Sequence, residues 1–321
     1  MKVIAGIDIG GTKCAVSLGK VSSEGITLID KRKFATPGSP QETITQLVET
    51  LDALIHENGH ATPAAIGISC GGPLDSTNGY ILSPPNLSGW DQIDIVSPFQ
   101  AKYRVPTALQ NDANACALAE WKWGAGKGCR NMIFLTFGTG MGAGLILDGK
   151  LYVGTNDMAG EVGHIRLAYE GPVGYGKVGS FEGFCSGGGI ARLAQSMVRN
   201  KLDNGETLLF CNSVEDVHRI TTQDVAEAAQ NGDILALEVF QIVAQQLGRG
   251  LALLVDILNP ECIVIGSIYS RQENLLKDLM MDTLRDEALQ QSLNACRIVP
   301  AGLGEQVGDF AALSAADYVL G

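Results

Sequence analysis

The sequence predicts an α/β protein built from two duplicated domains. Three observations predict it. A strand, glycine turn, strand unit occurs twice about half a chain apart, as IAGIDIGGTKCAVSLG from Ile4 and IFLTFGTGMGAGLILDG from Ile133. A strand at 105–109 runs through Asn111-Asp112 into a helix at 113–123, the junction typical of a parallel α/β layer. The chain has 321 residues, 45% hydrophobic and 18% charged, which suffices for two cores and excludes a disordered chain. Paired hairpins of this kind can clamp one ligand from both sides.

The first hairpin joins strands at 3–9 and 14–18 through Asp8-Ile-Gly-Gly-Thr12. A turn region at 19–25 leads to a third antiparallel strand at 26–34. Residues 40–58 have helical spacing, with Ile44, Leu47, Val48, Leu51 and Leu54 on one face. The strand at 64–69 ends in Cys70-Gly71-Gly72-Pro73, where backbone can approach a ligand, and Ser83 to Trp90 forms a loop carrying Asn86. At Asn111-Asp112 a carboxylate lies where a strand ends and a helix begins. That place suits chemistry in an α/β crevice; it equally suits an N-cap, which Asp and Asn both favour.

The central stretch begins with a buried strand at 132–137, followed by Gly138-Thr139-Gly140-Met141-Gly142. A second strand at 143–147 ends at Asp148-Gly149, a hairpin signal. Glycine offers the close approach and positive φ angles that a nest of amides around an anion needs. A tight hairpin with no ligand would show the same pattern. Gly138, Gly140 and Ala143, with Asp157 beyond, imitate the dinucleotide fingerprint, but that fingerprint opens a helix and this segment continues as strand. Gly126-Lys127-Gly128 lacks the spaced glycine of a P-loop.

Gly160-Glu161-Val162-Gly163-His164 then offers a carboxylate and an imidazole three residues apart, and 171–189 is a glycine-rich loop holding Glu182. Helices are expected at 189–200, 222–231 and 234–258, with an acidic irregular stretch before residue 222 and Pro260 ending the last. A strand at 262–265 closes on Gly266-Ser267, and an alanine-rich helix at 307–320 is suited to close packing. With no long linker, the expected domains are 1–123 plus 305–321, and 124–304, sharing a hinge at 124–128.

A net charge of −12 argues against nucleic acid and anionic membrane as partners. The N-terminal residues lack a signal-peptide apolar region, and no run approaches the ~18 apolar residues of a membrane span. The eight cysteines are scattered within apolar runs, which reads as reduced buried thiols in a cytoplasmic protein.

Asp8-Ile-Gly-Gly-Thr12, Asn111-Asp112-Ala-Asn-Ala115, Gly138-Thr-Gly-Met-Gly142, Gly160-Glu-Val-Gly-His164, Glu182 and Asn259-Pro260 through Gly266 together resemble the ROK family (repressor, open reading frame, kinase). The resemblance spans essentially the whole chain. It implies two ribonuclease-H-like domains of the actin and hexokinase type flanking a ligand cleft. It also implies transfer of the γ-phosphoryl of ATP to a hexose 6-hydroxyl, with Mg²⁺ near Asp8, in a homodimer or homotetramer. By motif matching, Asp112 falls on the catalytic base. Gly72, Asn86, Asn111, Glu161, His164 and Glu182 fall on sugar-binding positions. Asp8, Gly10, Gly11, Thr12, Lys13, Gly138, Thr139, Gly140 and Gly266 fall on the nucleotide side.

One departure is plain. Family members commonly hold a structural zinc with the histidine of the GH pair and three cysteines before the glutamate. Here the matching run is Val173-Gly-Tyr175-Gly-Lys-Val-Gly-Ser180-Phe-Glu182, without a thiol, so no structural zinc is expected. Tyr175 and Phe181 are candidates to bury area in its place. Gly266-Ser267 also replaces a more common Gly-Gly. Repressors of the family carry an N-terminal helix-turn-helix domain, whereas the first strand here starts at Val3; with the acidic charge, this favours a kinase over a sugar-responsive regulator. A non-catalytic sugar-binding protein is the third reading, and glucose is the first-choice sugar.

Overall fold

The computed structural model describes residues 2–23, 25–59, 62–205, 210–211 and 213–321. The irregular stretch expected before residue 222 lies partly outside the described residues. The chain forms two compact units. The first runs to Arg130 and adds Gly144–Ala159 and Gly302–Gly321; the second comprises Asn131–Ala143 and Gly160–Ala301.

The first unit is built on a five-stranded sheet in the order Gly25–Ala35, Lys13–Ser22, Lys2–Ile9, Ile66–Cys70, Thr107–Asn111. The first three strands are antiparallel, and the last two run parallel to Lys2–Ile9. The helix Pro40–Glu57 starts with Ser39 as N-cap and proline in its first turn, and it buries Ile44, Leu47, Leu51 and Leu54 in the apolar core. The helix Val307–Tyr318 packs still closer. A Cβ on Gly67 would lie 2.0 Å from the Ala312 carbonyl oxygen, so glycine in the strand and alanine in the helix set that approach. The same helix corrects the turn expected at 19–25. The second strand continues through Gly19, where a Cβ would lie 2.8 Å from the Leu313 side chain, so this glycine serves packing inside a strand.

Glu120, on the helix Asp112–Trp123, is fully buried. Its Oε2 accepts the amides of Ala125 (2.8 Å) and Gly302 (3.0 Å), and its Oε1 accepts that of Leu303 (2.9 Å). The carboxylate thus joins segments 182 residues apart in sequence. The hairpin Ala143–Leu147 with Lys150–Tyr152 turns through Asp148 and Gly149, both at positive φ (52° and 74°), as the Asp-Gly signal predicts. Its Gly144 lies against Ala113 and Ala117, where a Cβ would be 2.4 Å from the Ala117 methyl.

In the second unit the strands Met132–Leu135, Cys262–Ile265 and Arg297–Pro300 run parallel. The long helix Ile234–Leu258 begins at the N-cap Asp233 and ends at Asn259 in the left-handed region (φ 43°), just before Pro260. Gly248 on it lets the helix Glu273–Glu287 approach, since a Cβ there would lie 2.6 Å from the Met280 carbonyl oxygen. The helix Gly187–Asp203 begins two residues earlier than expected, because Ser186 caps it by accepting the Gly189 amide. Among the described residues no helix is long and apolar enough to cross a membrane.

Candidate functional site

The candidate residues fall into two sets, one in each unit. In the first unit the strand Thr107–Asn111 delivers Asn111 and Asp112 to the start of the helix Asp112–Trp123. The capping alternative resolves onto Asn111, whose Oδ1 accepts the Ala113 amide at 2.9 Å. Asp112 is the first helical residue. Its Oδ1 also accepts the Ala113 amide (2.7 Å), and Oδ2 has no hydrogen-bond partner among the described residues. Burial pushes the Asp112 carboxyl above the usual carboxylate range, against the weaker pull of the backbone amides of Ala113 and Asp112 itself.

Asp8, at the end of the strand Lys2–Ile9, is raised to about 6, first by loss of solvation. Lys31 opposes that rise, while the Asp112 charge adds to it. Both aspartates are exposed as whole residues, yet protein atoms surround their carboxyl groups, and that local crowding sets the direction. The Asp8 side chain makes no hydrogen bond among the described residues. An unpaired carboxylate with costly ionisation fits Mg²⁺, which binds through one or two carboxylates while keeping most of its waters.

Gly72 lies beside Asn111, whose amide nitrogen would be 3.2 Å from a Cβ there. Gly11 packs on Asn86: a Cβ at Gly11 would lie 2.2 Å from the Asn86 carbonyl oxygen, so the first glycine turn and the Asn86 loop are one packed structure. Thr12 and Lys13 are exposed beside that turn.

In the second unit the turn after Met132–Leu135 is closed by Thr136. Its amide donates to the Gly142 carbonyl (3.0 Å), and its Oγ1 accepts the Gly142 amide (3.0 Å). The Gly138 amide donates to the Gly140 carbonyl at 3.1 Å. The Oε2 of Glu182 accepts the Met141 amide at 3.2 Å and would be 2.8 Å from a Cβ on Gly140. The Glu182 side chain therefore holds the glycine turn directly. Glu161 and His164 are both exposed around the short turn Val162–His164. The His164 ring stands edge-on to Tyr175, with centroids 6.2 Å apart, and its carbonyl accepts Lys177 Nζ at 2.7 Å.

The expectation of positive φ in the glycine turns is corrected. Gly10, Gly11, Gly138, Gly140 and Gly142 all lie outside the left-handed region. At Gly10, Gly11 and Gly140 the absent Cβ serves close approach instead, to Lys13, Asn86 and Glu182. The positive φ appears at Ser267 (φ 58°, ψ −113°), the residue replacing the second glycine of the Gly-Gly pattern. Gly266 itself is buried against Phe134.

A cavity of about 890 Å³ opens beside the second glycine turn, within the second unit. Gly138, Thr139, Gly187 and Ser267 line it, with Glu227 and Gln230 from the helix Thr222–Gln230. That helix is tied down by Thr222 Oγ1 donating to the Gly187 carbonyl, and Gly187 by its amide donating to the Gly138 carbonyl at 2.8 Å. Sequence reasoning placed the helix but not its part in a cavity wall. The polar positions Gln223, Glu227 and Gln230 at helical spacing were the available signal. The residues present fit a nucleotide: Gly138 and Thr139 line a cavity in the usual range for small-molecule sites, about 300–1,000 Å³, and although the Gly138 amide is engaged within the turn, glycine adds no side-chain bulk there.

Among the described residues no group of three or more His, Cys, Asp or Glu side chains is placed to hold a metal ion. The loop between His164 and Glu182 is braced by protein atoms. The amides of Leu167 and Ala168 both donate to the Gly179 carbonyl (2.8 and 3.1 Å), Gly179 to Pro172 (3.0 Å) and Phe181 to Ile165 (2.8 Å). Phe181 is fully buried, as expected of a replacement brace; Tyr175 is corrected, being 75% exposed.

Comparison with known proteins matches this arrangement to one family. The glucokinase of Halalkalibacterium halodurans is 32% identical over 310 residues, covering 94% of this chain and 91% of that protein. The xylose repressor of Caldicellulosiruptor bescii is 29% identical, over 91% of this chain and 71% of the repressor. A ROK family glucokinase from Streptomyces griseus, solved in complex with glucose and AMPPNP, is 30% identical with a TM-score of 0.75 over 98% of both chains. The ROK hexokinase of Thermus thermophilus is 27% identical with a TM-score of 0.80 over 99% of both. The mixed α/β architecture is the actin-like fold of these enzymes. Since the ROK family model also matches residues 4–317, nearly the full length, the chain belongs to the ROK family.

Proposed function

We propose that the protein transfers the γ-phosphoryl group of ATP to the 6-hydroxyl of a hexose, with glucose the favoured substrate. The observation that carries this reading is Asp112. It stands at a strand-to-helix junction with one carboxylate oxygen unengaged, the capping duty taken by Asn111 and its proton affinity raised by burial. A sugar hydroxyl is a poor nucleophile, and a carboxylate so tuned accepts its proton as the new O–P bond forms. Asn86, Asn111, Glu161, His164 and Glu182 supply the amide, carboxylate and imidazole groups that fix the hydroxyls of a polyol. The glycine turns offer backbone to the phosphates, and Asp8 would hold Mg²⁺ through water; the ion supplies charge neutralisation for the phosphates.

The glucokinase relatives support this reading. The xylose repressor relative supports a second one, a sugar-responsive regulator. A coupled assay with ATP, Mg²⁺ and a panel of hexoses and pentoses separates them. Turnover that is fastest with glucose is the expected result. Tight sugar binding by calorimetry with no phosphorylation of any sugar would overturn the kinase reading in favour of a regulator or a non-catalytic sugar-binding protein.

A further inference from the structure

Within the cavity of the second unit, one side chain has no task in the proposed reaction. Gln223, Ala226, Glu227 and Gln230 line it from one face of the helix Thr222–Gln230, at offsets of 0, 3, 4 and 7. Gln230 is engaged, its Nε2 donating to Gln272 Oε1 at 2.9 Å. The exposed Glu227 carboxylate has neither a hydrogen bond nor an ion pair among the described residues. No aromatic side chain among the described residues lines the cavity, so stacking on a ring is not how it grips a base.

A carboxylate in a site that takes a polyphosphate repels the phosphates, which belong with the glycine turn at Gly138 and Thr139. Arg271 also lines the cavity and supplies a cation there, so toward a bound nucleotide the Glu227 carboxylate can act only as an acceptor for a donor group. A vicinal diol is the donor a nucleotide offers, because two hydroxyls can share one carboxylate. Acidic residues read ribose on the same chemical ground in dinucleotide folds.

We propose that Glu227 reads the ribose 2′- and 3′-hydroxyls of the nucleotide donor and so makes the site selective for ribonucleotides. This rests on the kinase reading above and adds a specificity residue to it. The helix that carries it is fixed at its start by Thr222 and at its end by the Gln230–Gln272 pair, so the backbone position of Glu227 is set before the nucleotide arrives.

Calorimetry of the full chain with Mg²⁺ and either ADP or 2′-deoxy-ADP, without sugar, tests this. The loss of one charge-assisted hydrogen bond predicts binding of the deoxynucleotide weaker by about 10- to 100-fold. Glu227→Ala, which removes the partner of both hydroxyls, should lower ADP affinity by that factor or more and weaken 2′-deoxy-ADP less, because only its 3′-hydroxyl loses a partner. It should bring the two nucleotides to within about twofold of each other and leave the thermal midpoint unchanged. Glu227→Gln should fall between. Equal binding of both nucleotides to the parent protein would overturn the ribose assignment alone, as would discrimination that survives Glu227→Ala. If neither nucleotide binds, the kinase reading itself falls, and the proposal with it.

Discussion

Replacing Glu120 with glutamine removes an acceptor from a buried carboxylate that holds three backbone amides at 2.8, 2.9 and 3.0 Å. The replacement fits the volume, but its NH₂ group must face at least one N–H. That leaves one amide unpaired and turns the other bonds neutral. A hydrogen bond to a charged group contributes about 1.5–3 kcal/mol, and an orphaned buried donor costs about 1–3 kcal/mol. Against this, an amide is less costly to bury than a carboxylate. The expected net destabilisation is about 2–4 kcal/mol, a fall in Tm of roughly 5–15 °C for a unit of this size. Thermal unfolding gives the total, and amide hydrogen exchange gives its location. Protection should drop at Ala125, Gly302 and Leu303 before it drops elsewhere. Gly124→Ala should act in the same direction, since its Cβ would lie 2.0 Å from Glu120 Oε2. A Glu120→Gln protein with unchanged Tm and unchanged protection at all three amides would show that the carboxylate does not join these segments.

Three further outcomes are expected. Asp112→Asn should keep the fold and sugar affinity while turnover falls by ~10² or more; near-normal turnover refutes the base assignment. Asp8, held at about 6 against an ordinary 3.8, is protonated below that pH and then cannot ligate a cation. Its raised value also means a contribution to folding that is full below 3.8 and lost as pH rises through about 6, a slope that Asp8→Asn removes. Half-saturation by Mg²⁺ should therefore rise as pH falls through that value, and a flat Mg²⁺ response from about pH 5 to pH 7 speaks against the site. Ser267→Gly relieves a strained conformation worth about 1–3 kcal/mol, less about 0.5–1 kcal/mol of glycine entropy, a net gain of up to about 2.5 kcal/mol, so Tm should rise by up to about 10 °C. A lower Tm would mean the Ser267 hydroxyl contributes more than the backbone strain costs.

What the sequence discloses depends on how local the cause is. The helix Ile234–Leu258 is readable to the residue because its stop signals, Asn259 and Pro260, adjoin it. The strand Ala143–Leu147 is equally plain between glycine and Asp-Gly. The helix Glu273–Glu287 is not, because it buries only Leu276, Met280 and Leu284, a single narrow stripe among charges. The strand Arg297–Pro300 offers just two apolar residues and ends in proline. Motif residues were legible as types, but their mutual support was not. That Asn111 rather than Asp112 caps the helix, and that Glu182 holds the Met141 amide, are facts of packing. Glu120 sits in an alanine-rich helical run, and no spacing rule reaches the residues it joins. Glycine was recognised where the backbone comes close, while the dihedral reason given for it belonged instead to Ser267.

The loop between His164 and Glu182 gives the last test, because its brace can be removed by parts. Phe181 is fully buried and lies against the long helix at Gly250, where a Cβ would be 2.4 Å from its ring. Its amide holds the Ile165 carbonyl, and Glu182 follows it directly in sequence. Truncation to alanine should cost about 3–5 kcal/mol and displace Glu182, raising the sugar KM; Phe181→Leu, at about 1.5 kcal/mol or less, should fold and show the same direction. Tyr175 reaches the His164 ring from an exposed position, so Tyr175→Ala should change stability by under about 0.5 kcal/mol. If backbone hydrogen bonds and the Phe181 wedge are the whole brace, a zinc chelator leaves Tm unchanged, and turnover returns fully when Mg²⁺ is restored. Stoichiometric zinc in purified protein, with activity lost on chelation and recovered with zinc but not with Mg²⁺, would show that a metal does this work through ligands other than the missing thiolates.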